Sequence, residues 1–158
     1  MPKKKIKKVL VTGGAGYIGS QAVNMLLERG YEAAVYDSLE NGHANSVPDS
    51  VKLYHENLSN KNAINAALKD FMPDAVMHFA GYIEVAESER DPKKYYRNNL
   101  INGINLVQLM VEQGINKMIF SSTAAVYGQP DKVPITEDMP LNPTNNYGLS
   151  KLLFERYL

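Results

Sequence analysis

The sequence of 158 residues contains no cysteine. This absence excludes disulfide bonds, thiolate metal ligands and a cysteine nucleophile, and it is typical of a cytoplasmic protein. The three histidines, His43, His55 and His78, lack the short spacing of a catalytic zinc motif, so we expect no metal site. The chain is therefore expected to be cytoplasmic and to fold by packing alone.

The sequence also lacks a net charge and a long apolar run. Lys plus Arg and Asp plus Glu number 17 each, which gives the chain no electrostatic preference for nucleic acid or an anionic membrane. Five lysines lie within residues 3–8, but a short basic lead into a first strand is usually a solvated tail. No apolar segment is long enough for an export signal or a membrane span. We therefore expect neither nucleic acid nor membrane as a partner.

What the sequence does contain is an alternation of strand and helix patterns in one domain-sized chain. Short apolar runs predict five strands, at residues 6–12, 32–37, 51–56, 73–81 and 116–122. Helical spacing predicts helices from Ser20 to a stop at Gly30, at 60–71, from Pro92 to about Gln113, and from Asn145 onward. The third helix has an apolar stripe: Tyr96, Leu100, Ile104, Val107 and Val111. This alternation predicts a doubly wound α/β domain whose parallel sheet has the strand order 3-2-1-4-5.

A glycine-rich segment, TGGAGYIG, follows the first predicted strand and opens the first helix. Its glycines Gly13, Gly16 and Gly19 are spaced three apart. The first two allow a tight turn and close approach to a pyrophosphate, and the third allows the helix to pack closely on the strand. The helix N-terminus adds N–H groups and partial positive charge. The segment therefore predicts dinucleotide binding rather than a purely structural turn.

An acidic residue, Asp37, ends the second predicted strand. A carboxylate at this position can accept hydrogen bonds from an adenosine ribose, and it would repel a 2′-phosphate. The next residue, Ser38, offers no compensating cation. The acidic strand end therefore favours NAD over NADP as the cofactor.

Two motifs near the end of the chain carry hydroxyl and amine groups. Ser121, Ser122 and Thr123 follow the fifth predicted strand, at the sheet edge where open α/β folds bind ligands. Tyr147 and Lys151 are four residues apart in the last predicted helix, so both side chains lie on one face. An ammonium there can stabilise the phenolate that a tyrosine base requires. Because such a pair also arises by chance, its interpretation depends on the other motifs.

In combination, these motifs resemble the extended short-chain dehydrogenase/reductase family from about Lys8 onward. The motifs that carry the resemblance are TGxxGxxG, the acidic strand end, HFAG, SSTAAVYG and YxxxK. The resemblance implies a Rossmann-like NAD-binding domain over residues 1–158, in which Tyr147 is a base, Lys151 its partner and Thr123 a catalytic hydroxyl. It further implies that NAD contacts Gly13, Gly16, Tyr17, Ile18, Gly19, Asp37, Asn57, Leu58, Phe79, Ala80, Gly81, Asn98, Ser121, Tyr147 and Lys151.

Among the activities in this family, the resemblance implies inversion at C4 of a UDP-hexose through a 4-keto intermediate. Related dehydratases place Asp-Glu after the catalytic threonine, where this chain has Ala124 and Ala125, so dehydration is disfavoured. Another nucleotide-sugar epimerase or reductase, or a non-catalytic nucleotide-binding module, remains an alternative. The resemblance also implies a homodimer formed through the long fourth helix of the family and the Tyr/Lys helix.

Several positions depart from the family pattern. Asn57 stands where an aspartate usually contacts adenine, and Ile83 stands where a lysine often contacts the cofactor. Asn146 replaces a proline that commonly precedes the tyrosine, and Thr123 replaces the usual serine. Family members are also considerably longer. From the substituted positions we expect weaker NAD retention. From the length we expect that the C-terminal substrate domain is absent, that the chain ends within the Tyr/Lys helix, and that the 158 residues alone have little or no activity.

Overall fold

The computed structural model describes residues 5–158, so Lys3 and Lys4 of the basic lead lie outside the described residues. Within that range, five parallel strands form one sheet in the order β3-β2-β1-β4-β5. The strands are β1 (Lys8–Thr12), β2 (Glu32–Asp37), β3 (Lys52–His55), β4 (Ala75–His78) and β5 (Met118–Phe120). Each lies within its predicted range, and the predicted fold class and strand order are confirmed.

The helices are close to prediction, with one addition. They are α1 (Tyr17–Glu28), α2 (Lys61–Phe71), α3 (Val85–Arg90), α4 (Pro92–Tyr95), a π-helical segment (Tyr96–Ile101), α5 (Asn102–Glu112) and α6 (Asn146–Tyr157). The predicted helix at 92–113 is the succession of α4, the π-helical segment and α5, whereas α3 lies where no element was predicted. Among residues 5–158, no helix is both long enough and apolar enough to cross a membrane.

The chain divides into two compact units. The first unit contains the residues up to Ala80 and Asn105–Ser121, and it holds the whole sheet. The second unit contains Gly81–Ile104 and Ser122–Leu158, and it holds α3, α4, the π-helical segment and α6. The interpretation of residues 1–158 as one NAD-binding domain stays a prediction.

The core of the first unit lies on both faces of the sheet. Leu10, Tyr36 and Val76 pack with apolar residues of α2 and α5 on one face, and Val11 and Val35 pack with α1 on the other. Successive strand residues point to opposite faces, and both faces are covered here. The central strands β1 and β2 therefore appear in the sequence as nearly uninterrupted apolar runs.

The predicted apolar stripe of the long helix is wrong. Its last member, Val111, is 66% exposed, while the neighbouring face, with Tyr95, Asn99 and Leu106, is at most 2% exposed. That buried face also includes Gly103, where a Cβ would lie 2.9 Å from the Phe154 ring. The buried face includes the polar Asn99 and Gly103, which has no side chain. The adjacent face contains more apolar residues, and a search for apolar spacing therefore selected the wrong face.

Candidate functional site

The glycine turn between β1 and α1 has the geometry that its sequence predicts. Gly13 has a left-handed φ of +72°, and a Cβ there would lie 2.5 Å from the backbone nitrogen of Ala80. A Cβ on Gly19 would lie 2.1 Å from the carbonyl oxygen of Gly13. Around Gly16, by contrast, the nearest atom is the Gly13 oxygen at 3.3 Å. Packing therefore requires the first and third glycines, whereas Gly16 keeps the surface of the turn open.

The N-terminus of α1 is open to solvent. Its N-cap residue is Gly16, and within the described residues no side chain caps the first turn. Tyr17 is 89% exposed and Ile18 is 60% exposed. The first N–H groups of a helix have no partner within the helix and carry partial positive charge. This end of α1 is therefore able to accept an anion such as a phosphate.

Asp37 lies at the end of β2 beside this turn and is 8% exposed. Its Oδ2 accepts a hydrogen bond from the Ala15 nitrogen (2.9 Å), and its Oδ1 accepts one from the Leu39 nitrogen (2.8 Å). Because each carboxylate oxygen has two lone pairs, further acceptor capacity remains. The carboxylate therefore holds the glycine turn in place and can also accept from a ligand hydroxyl.

The other predicted residues of the first unit follow the carboxyl ends of strands. The nitrogens of Phe79 and Ala80 both donate to the Thr12 oxygen, at 2.9 and 3.1 Å, and the Ser121 nitrogen donates to the His78 oxygen at 3.1 Å. After β3, Asn57 Oδ1 accepts from the Ser59 nitrogen at 2.9 Å, and Leu58 is buried. The structure thus brings the first-unit residues to the sheet edge at which such folds bind ligands: Gly13, Gly16, Tyr17, Ile18, Gly19, Asp37, Asn57, Leu58, Phe79, Ala80 and Ser121.

In the second unit, the segment of Thr123 lies against the start of α6. Thr123 caps a 3₁₀ turn, Ala124–Tyr127, by accepting a hydrogen bond from the Ala125 nitrogen at 3.2 Å. A Cβ on Gly148, in the first turn of α6, would lie 2.7 Å from the Ala125 oxygen. The glycine that follows Tyr147 therefore allows α6 to begin in contact with the turn that Thr123 starts.

Lys151 is buried on the same face of α6 as Tyr147. It is 5% exposed, and burial lowers the pKa of its amine to about 8, while nearby Glu155 acts in the opposite direction. A Cβ on Gly81 would lie 3.9 Å from Lys151 Nζ and 3.2 Å from Asn99 Oδ1. The structure thus brings Gly81 and Lys151 together, and near pH 7 the buried amine is still mainly an ammonium.

Asn99 is a buried residue that the sequence interpretation missed. The predicted asparagine, Asn98, is half-buried and donates from Nδ2 to Asn99 Oδ1 at 3.1 Å. Asn99 exchanges hydrogen bonds with the backbone of Tyr82 at 2.9 and 3.0 Å and donates to Ser150 Oγ at 3.3 Å. Two adjacent asparagines inside a predicted helix were the available signal, because asparagine is a poor helix former. The π-helical segment that holds them is a feature often found at functional sites.

Within residues 5–158, no group of three or more histidine, aspartate or glutamate side chains could hold a metal ion. The titratable groups that the motifs single out belong instead to Asp37, Tyr147 and Lys151.

Comparison with known proteins finds similar sequences over nearly the whole chain. A family model described as the NAD dependent epimerase/dehydratase family matches residues 9–158. The UDP-glucose 4-epimerase of Lactobacillus helveticus is 46% identical over 151 residues, which cover 96% of this chain and 46% of that protein.

Solved structures agree with this match. The UDP-glucose 4-epimerase from Brucella ovis, in complex with NAD, superposes with a TM-score of 0.93 at 38% identity over 96% of this chain and 46% of its own. The UDP-Glc/GlcNAc 4-epimerase from Campylobacter jejuni superposes with a TM-score of 0.92 at 41% identity over 96% and 47%. The chain thus spans about half the length of the relatives it matches. The resemblance read from the motifs is confirmed, and the chain belongs to the NAD dependent epimerase/dehydratase family.

Proposed function

We propose that this chain supplies the NAD-binding and proton-transfer residues of an enzyme that interconverts UDP-glucose and UDP-galactose. One observation carries the proposal. Lys151 is buried on the Tyr147 face of α6, and the first turn of α6 contacts the turn that Thr123 starts. Membership of the family and the names of the relatives support the same activity.

The residues present fit NAD. The open N-terminus of α1 suits a pyrophosphate, and Asp37 retains acceptor capacity for a ribose. Within the described residues, the buried Ser122 hydroxyl has no hydrogen-bond partner, which a bound ligand would supply. We infer that NAD contacts the residues predicted for it, with Gly16, Tyr17 and Ile18 at the pyrophosphate, and Asn98, Tyr147 and Lys151 among the rest.

The side chains have distinct roles in the proposed reaction. Tyr147, as phenolate, accepts the proton of the sugar 4-hydroxyl, and Thr123 forms a hydrogen bond to the same oxygen. The Lys151 ammonium stabilises the phenolate. Bound NAD would supply the acceptor, and later the donor, of the hydride at C4. When the hydride returns to the opposite face of C4, the Tyr147 phenol gives its proton back to the 4-oxygen, which completes the inverted alcohol and restores the phenolate base.

The identity of the sugar and the assembly are finer parts of the proposal. The similarity to the Campylobacter jejuni UDP-Glc/GlcNAc enzyme makes an N-acetylated UDP-hexose the substrate to compare with UDP-galactose.

A homodimer through the long helix and α6 is supported by exposed apolar side chains on both, among them Ile101, Val111 and Leu153. Sedimentation equilibrium tests the dimer. The cytoplasmic location rests on the lack of cysteine and stays a prediction.

The proposal is tested in two steps. Calorimetric titration of the 158-residue chain should show binding of NAD and far weaker binding of NADP, because Asp37 repels a 2′-phosphate. Residues 9–158 should then replace the matching half of the Lactobacillus helveticus enzyme, and the chimera should convert UDP-galactose to UDP-glucose. Tyr147→Phe should abolish this conversion without preventing NAD binding. A folded chimera that binds NAD and has no activity would contradict the proposal.

A further inference from the structure

We propose that Ser88 and Glu89 of α3 are positioning residues for Tyr147. Their side chains accept the backbone hydrogen bonds that the first turn of α6 cannot form within the helix, and they thereby hold the tyrosine in place. The importance of Tyr147 rests on the proposed function, but the positioning can be measured without any turnover.

All three N–H groups at the start of α6 are bound by side chains. The Asn146 nitrogen donates to Glu89 Oε1 at 2.7 Å, and the Tyr147 nitrogen donates to Ser88 Oγ at 3.1 Å. The Gly148 nitrogen donates to Oδ1 of Asn145, the N-cap residue, at 2.7 Å. An ordinary N-cap side chain satisfies one such group. Here α3 supplies the acceptors for the other two, from residues 57 and 59 positions away in the sequence.

Ser88 is held in a single orientation by its surroundings. Its side chain is fully buried, with 0% exposure. The hydroxyl donates to the Val85 oxygen at 2.6 Å and accepts from the Tyr147 nitrogen at 3.1 Å. Because a buried N–H without an acceptor is unfavourable, this bond ties the backbone of Tyr147 to α3.

Glu89 and Asn146 form a second connection between the same elements. Glu89 Oε1 accepts from both the backbone nitrogen and Nδ2 of Asn146, at 2.7 and 2.9 Å. Asn146 Oδ1 in turn accepts from the Tyr96 hydroxyl at 2.8 Å. A proline at position 146 would have neither a backbone N–H nor a side-chain amide to donate to Glu89. The asparagine is therefore matched to Glu89, because both of its hydrogen bonds to this carboxylate would be lost in a proline.

Tyr147 lies between two fixed neighbours as a result. Asn146 is bound to α3 and to Tyr96, and Gly148 packs so closely against the Ala124–Tyr127 turn that a Cβ on it would lie 2.7 Å from the Ala125 oxygen. A base contributes to catalysis only within hydrogen-bond reach of the proton that it removes. Small displacements of a positioned group can lower a rate strongly, so the α3 contacts bear directly on the role proposed for Tyr147.

Backbone hydrogen exchange and the Tyr147 ring signal, measured by NMR on the 158-residue chain, test the proposal. Glu89→Ala should accelerate exchange at Asn146 by about tenfold or more, and Ser88→Ala should do so at Tyr147. Both variants should move the ring resonance of Tyr147 while leaving the Phe154 amide unchanged. Glu89→Gln keeps an acceptor oxygen and should restore nearly the original exchange and resonance. Glu84→Ala, which removes another exposed carboxylate near α3, is the matched control and should change neither.

The coupling of Glu89 to Asn146 gives a second measurement. In an Asn146→Pro background, Glu89→Ala should leave the Tyr147 resonance where it is, because the N–H groups that Glu89 binds have been removed. The proposal would be overturned if Ser88→Ala and Glu89→Ala both left hydrogen exchange unchanged, or if both left the Tyr147 ring resonance unmoved. It would also be overturned if Glu89→Ala shifted that resonance as much in the Asn146→Pro background as in the parent chain. NAD titration of the same samples separates the two proposals, because absent binding counts only against the proposed function.

Discussion

Helices α1 and α6 begin in opposite ways. The first turn of α1 follows Gly16, which has no side chain, and its first two residues are 89% and 60% exposed. The first turn of α6 follows Asn145, and its three N–H groups are bound by side chains of Asn145, Ser88 and Glu89. Both ends carry the same kind of partial positive charge, so the difference lies in the acceptors that the chain provides.

This difference separates two uses of a helix N-terminus. An end without acceptors from its own protein can bind the phosphates of a ligand. An end with every N–H bound is unavailable to a ligand, but it fixes the residues of the first turn. In the account proposed here, α1 binds the cofactor, and α6 holds Tyr147 for proton transfer.

The largest effect is expected from Gly13→Ala, which breaks the turn before α1. The added Cβ would meet the backbone of Ala80 at 2.5 Å and would also force a left-handed φ on alanine, so we expect a loss of stability of about 3 kcal/mol or more. Gly30→Ala is the matched control, since Gly30 has a φ of +75° and no atom within 4 Å of its Cβ position. It should cost only about 1 kcal/mol. Urea denaturation of both variants measures the difference, and equal losses would show that close packing at Gly13 is unimportant.

A second prediction closes the open end. Gly16→Asn gives α1 the N-cap residue that α6 has, and its Cβ would lie 3.3 Å from the Gly13 oxygen, a tight contact that a shift of a few tenths of an ångström relieves. We expect NAD affinity to fall about 100-fold because the new side chain occupies the phosphate position. Stability should change by no more than about 1 kcal/mol. Calorimetry and urea denaturation measure the two quantities, and undiminished affinity would mean that the pyrophosphate binds elsewhere.

Lys151 provides a test of the free-energy cost of burying a charged amine on the inner face of α6. Its pKa is lowered by burial from 10.5 to about 8, so the folded chain carries an unfavourable buried ammonium at pH values below 8. Between about pH 8 and 10.5 the folded amine is neutral while the unfolded one is charged, and stability should rise with pH. Lys151→Met should therefore stabilise the chain at pH 7 by about 1–3 kcal/mol, with the advantage shrinking through that window.

The exposed Lys93→Met is the control for Lys151→Met, and it should change stability by less than about 0.5 kcal/mol at any pH. Thermal unfolding from pH 6 to 10 measures both variants. If Lys151 contacts the cofactor as proposed, the same stabilising substitution also weakens NAD binding. The burial penalty would be contradicted if the gain in stability of Lys151→Met over the parent chain were smaller at pH 7 than at pH 10.

The smallest effect is expected at the N-cap of α6. Asn145→Ala removes the acceptor for the Gly148 nitrogen and should cost about 1 kcal/mol. Asn60→Ala removes the corresponding acceptor for Ala63 at the start of α2 and should cost a similar amount. Only the Asn145 variant should accelerate hydrogen exchange in the first turn of α6. Similar acceleration there by both variants would point to global rather than local opening.

The parts of the molecule that the sequence predicted are those whose cause is local or periodic. The strands were identifiable because both faces of the sheet are covered, as Leu10 and Val11 illustrate. The turn at Gly13 and Gly19 was identifiable because only glycine tolerates its contacts. For such features, the physical constraint dictates the residue type, so the feature can be recognised from the sequence.

The missed parts depend on contacts between distant residues. Helix α3 has six residues, many of them polar, and its bonds from Ser88 and Glu89 reach residues more than 50 positions away. Asn99 is buried because hydrogen bonds to Tyr82 and Ser150 satisfy its amide, which a search for apolar spacing does not detect. Such residues become recognisable only when their partners are known.

The comparison of the two helix ends can be tested most directly by hydrogen exchange with and without NAD. Saturating NAD should slow exchange of the amides of Tyr17 and Ile18, at the open end of α1, by about tenfold or more. The amides of Asn146 and Tyr147, which are already bound by Glu89 and Ser88, should change little. Slower exchange at Asn146 and Tyr147, with none at Tyr17 and Ile18, would contradict the account.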